Sequence, residues 1–280
     1  MKKIAFSKMS GCGNDFIIID NRDKLLPFTD LSRFARSICR RKLSLGADGL
    51  ILIEPSQSAD FKWRFYNDDG SRAEMCGNGA RCVSRFAYLN NITGPELTFE
   101  TDAGIIAAKV QGEHVKIRMT DPVELALDQS LISDHKTIKY SSINTGVPHV
   151  VIEVDNLDTM DVVGKGRKIR MHPEFAAAGT NVNFVSLLKD GGYAIRTYER
   201  GVEDETLACG TGCAAAALIL AKKKGISSPV DLLTRSGGYL RIYFTHTQNG
   251  FDGLFLEGDA RIIGSGQLWE DAWNYEAGLK

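Results

Sequence analysis

Six cysteines stand at positions 12, 39, 76, 82, 209 and 213, and two of them open the same short motif. Cys76-Gly77-Asn78-Gly79 and Cys209-Gly210-Thr211-Gly212 each lead into a stretch of helical character. A cysteine at a helix start meets unpaired backbone N–H groups and the positive end of the helix dipole. A thiol placed there ionises more readily than usual. The glycines that follow let a ligand approach the backbone closely. Each motif therefore offers a base beside a cradle for an anion. Neither continues into the Lys-Ser/Thr of a phosphate-binding loop, which favours a carboxylate over a phosphate. For one such cysteine taken alone, a small buried hydrophobe is the commoner role.

The motif is part of a longer repeat. Tyr66 precedes Cys76 by 10 residues and Tyr198 precedes Cys209 by 11. Gly46 and Gly179 each lie 30 residues upstream of their cysteine, at a polar turn before an apolar run. Gly13-Asn14-Asp15-Phe16 and Gly146-Val147-Pro148-His149 lie about 60 residues upstream. Landmarks in step over that distance point to a duplicated domain. Two lobes related by a pseudo-two-fold would bring two thiols to one cleft from opposite sides. Facing thiols that straddle a carbon suit stereoinversion: a thiolate removes the α-proton and a thiol supplies a proton to the opposite face. Cys82 and Cys213, farther into the helices, read as core.

The elements that must position these residues are mostly strands. Alternating or β-rich runs cover Ile17–Asp20, Leu50–Glu54, Leu97–Glu100, Ile105–Val110, His114–Met119, His149–Val154, Val182–Leu187, Tyr239–Phe244 and Gly253–Glu257. Turn residues punctuate them at Asp102-Ala103-Gly104, Gln111-Gly112, Asp190-Gly191-Gly192 and Asn249-Gly250. Helices are expected at about 30–40, 79–89 and 212–224. Ala214–Ala221 is apolar all round, so its helix should be buried. The class is α+β: two similar lobes, each a mixed, mostly antiparallel sheet wrapped around a central helix. The crossover is expected near Asp121-Pro122.

Composition bounds the function. A chain of 280 residues suggests two domains. With 34 Lys and Arg against 35 Asp and Glu, the net charge of −1 excludes a diffuse basic footprint for nucleic acid or an anionic membrane. The longest apolar run, Cys213–Ala221, is nine residues, too short for a bilayer. Met1-Lys2-Lys3 is followed only by Ile4-Ala5-Phe6 before Ser7-Lys8, which is no signal core, so a cytoplasmic location is expected. No Cys-x-x-Cys pair occurs, and neither a zinc site nor a disulfide framework is expected.

Taken together, Gly11–Phe16, Phe65–Gly70, Met75–Cys82, Tyr198–Gly201 and Ala208–Gly212 resemble the diaminopimelate epimerase family, in that family's order and over most of the chain. The resemblance implies an amino-acid epimerase that needs no cofactor and no metal. Such an enzyme interconverts LL- and meso-2,6-diaminopimelate for lysine and peptidoglycan synthesis. It implies Cys76 and Cys209 as the acid/base pair, with the amides of Gly77, Asn78, Gly210 and Thr211 holding the reacting carboxylate. Asn14, Asn67, Asn181, Glu199 and Arg200 would read the distal amino and carboxylate groups. His149 and Glu199 would tune the thiols. The resemblance further implies a homodimer, an N-terminal lobe of residues 1–120 plus about 264–280, a C-terminal lobe of 121–263, and a site in the cleft between them.

This chain departs from the family pattern at two places. Val147 stands where the family often has Asn, and Gly49 where it often has Gln, so two side-chain amides are missing from the expected distal pocket. One extra residue lies between Arg200 and Cys209. The competing readings are a cofactor-independent racemase of another amino acid and a binding protein that kept the fold. Intact Cys76 and Cys209 argue against the second. No lysine stands in a context that suggests a Schiff base with pyridoxal phosphate.

Overall fold

A computed structural model of the chain describes residues 3–26, 29–175, 178–248 and 250–274. Met1 and Lys2, Asn249 of the expected turn, and residues 275–280 of the C-terminal segment lie outside it. The chain divides into two compact units: Arg118–Gly258 forms one, and the described residues before it and from Asp259 onward form the other.

The first unit runs β1 (Ile4–Gly11), β2 (Asn14–Asp20), α1 (Leu31–Cys39), β3 (Gly49–Glu54), β4 (Phe61–Asn67), β5 (Arg72–Ala73), α2 (Gly77–Leu89), β6 (Glu96–Thr101), β7 (Gly104–Gln111) and β8 (His114–Arg118). The second runs β9 (Val123–Ser133), β10 (Lys136–Asn144), β11 (Pro148–Glu153), α3 (Val162–Arg170), β12 (Asn181–Leu187), β13 (Tyr193–Glu199), β14 (Asp204–Thr206), α4 (Gly210–Lys224), β15 (Val230–Leu233), β16 (Tyr239–Thr247) and β17 (Gly250–Asp259). A last strand, β18 (Arg261–Leu268), returns to the first unit and pairs with β1.

The two units repeat one topology. β2 runs parallel to β3, β4 is antiparallel to β3, and β6 is parallel to β4. β11, β12, β13 and β15 reproduce each of those pairings. β18–β1–β2 corresponds to β9–β10–β11, all antiparallel. Within each unit the strands close around one helix. α2 packs on β1, β2, β3 and β7, and α4 on β10, β11, β12, β13, β15 and β16. Gly212–Ala221 is buried without a break, as its all-apolar surface requires. α4 ends on Gly225 at φ +67, a left-handed cap that glycine adopts without strain.

The remaining helices cover the outer face of each sheet. α1 starts on the Asp30 side chain, which accepts from the Arg33 N–H, and buries Phe34, Ala35 and Ile38 against Ile17, Leu50 and Leu52. α3 was not legible in the sequence because Gly164 and Gly166 lower its propensity. Asp161 caps it by accepting from Gly164 N–H at 2.9 Å, and the Tyr198 ring leaves no room for a Cβ at position 166. The β9–β10 hairpin was also missed. It alternates weakly, and its turn is made by Asp134 and His135, both at positive φ. Among the described residues no helix is long and apolar enough to cross a membrane.

Candidate active site

Cys76 is the residue that caps the start of α2, in extended conformation at φ −146 and ψ 118. Its carbonyl accepts the first helical bond, from Ala80 at 2.8 Å. Cys209 holds the same place on α4, at φ −117 and ψ 110, and its carbonyl accepts from Cys213 at 2.9 Å. Neither side chain caps the helix. The first-turn N–H groups of Gly77, Asn78, Gly210 and Thr211 therefore have no partner within their helix. Cys76 is half-exposed and Cys209 is 8% exposed. Thr211 Oγ1 lies 3.5 Å from Cys209 Sγ, and the Thr211 carbonyl accepts from Thr145 at 2.9 Å. The small residues beside the thiols are required: a Cβ on Gly210 would stand 2.7 Å from Leu256, and one on Gly79 3.1 Å from Ile51.

In the first unit Asn14 and Asn78 belong to one directed chain of hydrogen bonds. Arg81, fully buried, donates to Asn78 Oδ1 at 2.8 Å. Asn78 Nδ2 donates to Asn14 Oδ1 at 3.0 Å, and Asn14 Nδ2 donates to Asp48 at 2.7 Å. Asp48 in turn accepts from the Asp15 N–H and from Arg41. Arg81 and Asp48 are the ends of this chain, a cation and an anion, and sequence reasoning assigned neither. The signal for Arg81 was its place one turn into the helix that Cys76 heads. Asn67 sits at the end of β4, where Nδ2 donates to Ser71 at 3.0 Å across a turn.

In the second unit Asn181 braces its surroundings. Its Nδ2 donates to the Pro148 carbonyl at 3.1 Å, and its Oδ1 accepts from the Arg200 N–H at 2.9 Å. The Arg200 guanidinium reaches the carbonyls of Ala178 and Gly179 at 3.3 and 3.5 Å. Burial pushes the Glu199 carboxyl above its usual range, offset in part by the Thr206 hydroxyl. His149 is fully buried, and burial together with the Arg200 charge lowers its imidazole to about 3. It is a neutral ring at neutral pH. The structure thus brings His149, Asn181, Glu199, Arg200, Cys209 and Thr211 into one unit, and Asn14, Asn67, Cys76 and Asn78 into the other.

The other four cysteines are buried. Cys82 and Cys213 are fully buried, and burial raises the Cys82 thiol far above neutrality. Cys12 packs on Arg81 and Asp259 and is raised to about 11, chiefly by burial. The departures have distinct causes. Val147 is half-buried in a turn whose Thr145 N–H donates to its carbonyl. Gly49 has no space for a side chain, because its Cβ would lie 2.5 Å from the Phe65 ring and 2.7 Å from the Tyr66 carbonyl oxygen. Among the described residues no cluster of His, Cys, Asp or Glu is grouped to hold a metal ion.

Comparison with known proteins identifies the family of the chain. The family model for diaminopimelate epimerase matches residues 6–125 and 141–263, one segment for each half of the repeat. Diaminopimelate epimerase of Aquifex aeolicus is 44% identical over 96% of this chain and 99% of its own length. That of a Hydrogenobaculum species is 46% identical over 94% of this chain and 97% of its own. Among solved structures, a phenazine biosynthesis protein of the PhzF family from Bacillus anthracis superposes with a TM-score of 0.74 at 17% identity, covering 96% of this chain and all of that one. That likeness establishes the two-domain fold alone. Identity above 40% over nearly the whole length does more: the chain belongs to the diaminopimelate epimerase family.

Proposed function

We propose that this chain interconverts LL- and meso-2,6-diaminopimelate, in lysine and peptidoglycan synthesis, by moving protons between substrate and two thiols, Cys76 and Cys209. One observation carries the reading. Each thiol heads the buried central helix of its unit, at equivalent places in two copies of one topology.

The chemistry balances without an added cofactor. One cysteine, as thiolate, takes the α-hydrogen as a proton, and the electron pair of the C–H bond stays on the α-carbon and its carboxylate. The other cysteine, as thiol, delivers a proton to the opposite face, which restores the C–H bond with inverted configuration. The two thiols have then exchanged protonation states. The reading requires the units to present their thiols to opposite faces of one carbon. The difficult species is the carbanion, whose charge spreads onto the carboxylate. The first-turn amides of Gly77, Asn78, Gly210 and Thr211 suit that charge, because they are preorganised and sit at positive helix ends. Arg200 offers a planar fork for the distal carboxylate and Glu199 a carboxylate for the distal ammonium. Asn14, Asn67 and Asn181 supply amides around them, and His149 and Glu199 bias the thiols. A homodimer and a cytoplasmic location, where thiols stay reduced, complete the proposal.

The test is direct. Purified protein is incubated with LL-diaminopimelate and no cofactor, and the product is resolved by chiral chromatography. Formation of the meso isomer is expected. Untouched diaminopimelate alongside racemisation of another amino acid would move the substrate assignment and leave the two-thiol chemistry standing.

A further inference from the structure

β11, β12 and β13 set His149, Asn183 and Thr197 side by side in the second unit, under the first turn of α4. All three are buried, at 1%, 0% and 3% exposure. Asn183 Nδ2 donates to the Val150 carbonyl at 2.9 Å and to His149 Nδ1 at 3.1 Å. Thr197 Oγ1 donates to Asn183 Oδ1 at 2.9 Å. The Val150 carbonyl fixes the orientation of the amide. Turned over, Asn183 would present an oxygen to an oxygen. Both Nδ2 hydrogens are thereby committed, one of them to the imidazole. His149 Nδ1 is an acceptor, and the ring proton sits on Nε2, which has no hydrogen-bond partner among the described residues.

The first unit shows that the fold does not need this trio. Its equivalent residues are Phe16, Ile51 and Phe65. Phe16 pairs with Gly49 as His149 pairs with Asn181, and Ile51 faces Phe65 as Asn183 faces Thr197. There the trio is hydrocarbon, with the Phe16 and Phe65 rings edge to face at 5.9 Å. Each trio lies against the third residue of its helix: a Cβ on Gly79 would meet Ile51 and Phe16, and a Cβ on Gly212 would collide with the Asn183 amide. The same space is filled by apolar packing in one unit and by a satisfied amide and an unsatisfied N–H in the other. A buried donor without an acceptor is destabilising, so its presence calls for a ligand that brings the acceptor.

We propose that Asn183 is a positioning residue that holds His149 as a neutral ring protonated on Nε2, so that His149 serves the site as a fixed hydrogen-bond donor and never as the destination of a thiol proton. The surroundings agree. β10 places Ile143 opposite His149, β12 brings the neutral Asn181 and Asn183, and α4 has no acidic residue in its first turn. Of Glu199 and Arg200 at the end of β13, it is the Arg200 charge that acts on the ring, and it opposes a second proton there. The catalytic half of this inference rests on the proposed epimerase reading, and the tautomer does not.

Nitrogen-15 NMR of histidine-labelled full-length protein reads the tautomer without any turnover. The expected pattern for His149 is a protonated Nε2 and an unprotonated Nδ1 throughout about pH 5–8. Asn183→Asp, whose carboxylate would accept a proton from Nδ1, should bring the imidazolium into that range. It should also add an imidazole limb to the pH–rate profile. Asn183→Ile, the residue type of the first unit, should lower kcat by about 10–100-fold with KM little changed. A wild-type ring protonated on Nδ1 overturns the proposal, as do variants that keep the wild-type kcat and pH profile. If the wild type shows the Nε2–H pattern but does not epimerise diaminopimelate, the substrate reading fails and the tautomer stands.

Discussion

The Arg81 guanidinium donates to the side-chain oxygen of Asn78 at 2.8 Å, one turn apart on a helix that buries both. Everything downstream takes its direction from that bond. Asn78 must then donate to Asn14, and Asn14 to Asp48. Arg81→Lys keeps the charge and loses the planar fork that also reaches the Asp259 carbonyl and Cys12. A hydrogen bond to a charged group contributes about 1.5–3 kcal/mol. The variant should therefore lose roughly 10–200-fold in kcat/KM and melt at a lower temperature. Steady-state kinetics and calorimetry check both.

Gly49 is held by packing. Its Cβ would stand 2.5 Å from the Phe65 ring and 2.7 Å from the Tyr66 carbonyl oxygen. Gly49→Ala should destabilise the protein by about 1–3 kcal/mol, the usual penalty of overpacking. Gly49→Gln should do no better at restoring the amide common in the family. Urea unfolding gives the first result and diaminopimelate kinetics the second.

His149 ties stability to acid. Its folded pKa, lowered to about 3 by burial and Arg200, lies below that of the unfolded chain, so the unfolded state binds the extra proton. Stability is then lost as pH falls from about 6.5 towards 3, by about 1.4 kcal/mol per pH unit from this one group. His149→Phe, with the ring that the first unit carries at Phe16, should flatten that slope in urea titrations between pH 7 and pH 4. The variant should still fold. An unchanged slope would mean that the ring is already charged when buried.

Thiol reactivity should sort by position. Burial raises Cys12 to about 11 and Cys39 to about 12, and raises Cys82 further still. At neutral pH iodoacetamide should leave these three unmodified and reach Cys76 first, at a half-exposed helix start. Diaminopimelate should protect Cys76. Peptide mass spectrometry of reduced protein resolves the order.

The two helix-start cysteines were legible because their motif is repeated. Cys-Gly-x-Gly before an apolar stretch marks α2 and α4, and glycine and tyrosine landmarks in step imply a shared topology. The supporting shell was hidden by its context. Asn183 lies inside Val182–Leu187, and a polar residue in an apolar strand run is easily absorbed into the run. Only the lining up of Asn183 with Ile51, and of His149 with Phe16, reveals an exchange of hydrocarbon for polar groups. Arg81 lies within the motif, yet beyond its own helix its partners are Cys12, in the turn between β1 and β2, and the Asp259 carbonyl, separations no local pattern encodes. α3 was hidden by Gly164 and Gly166, whose reasons, the Asp161 cap and the Tyr198 ring, are tertiary. Asn67 and Asn181 carry turn and bracing bonds beside any ligand role.

The most direct measurement of the two-thiol account is the position of solvent hydrogen after brief turnover in deuterium oxide. LL-diaminopimelate is the starting isomer, and both isomers are recovered and weighed by mass spectrometry. One thiol removes the proton and a different one, already exchanged with solvent, delivers the deuteron. The meso product should carry one deuterium from the first turnovers while the remaining LL substrate stays unlabelled. Cys76→Ala and Cys209→Ala should each form no meso isomer. Deuterium entering the remaining LL substrate as fast as it enters the product, or either alanine variant epimerising at the wild-type rate, would contradict the assignment of the two protons to Cys76 and Cys209.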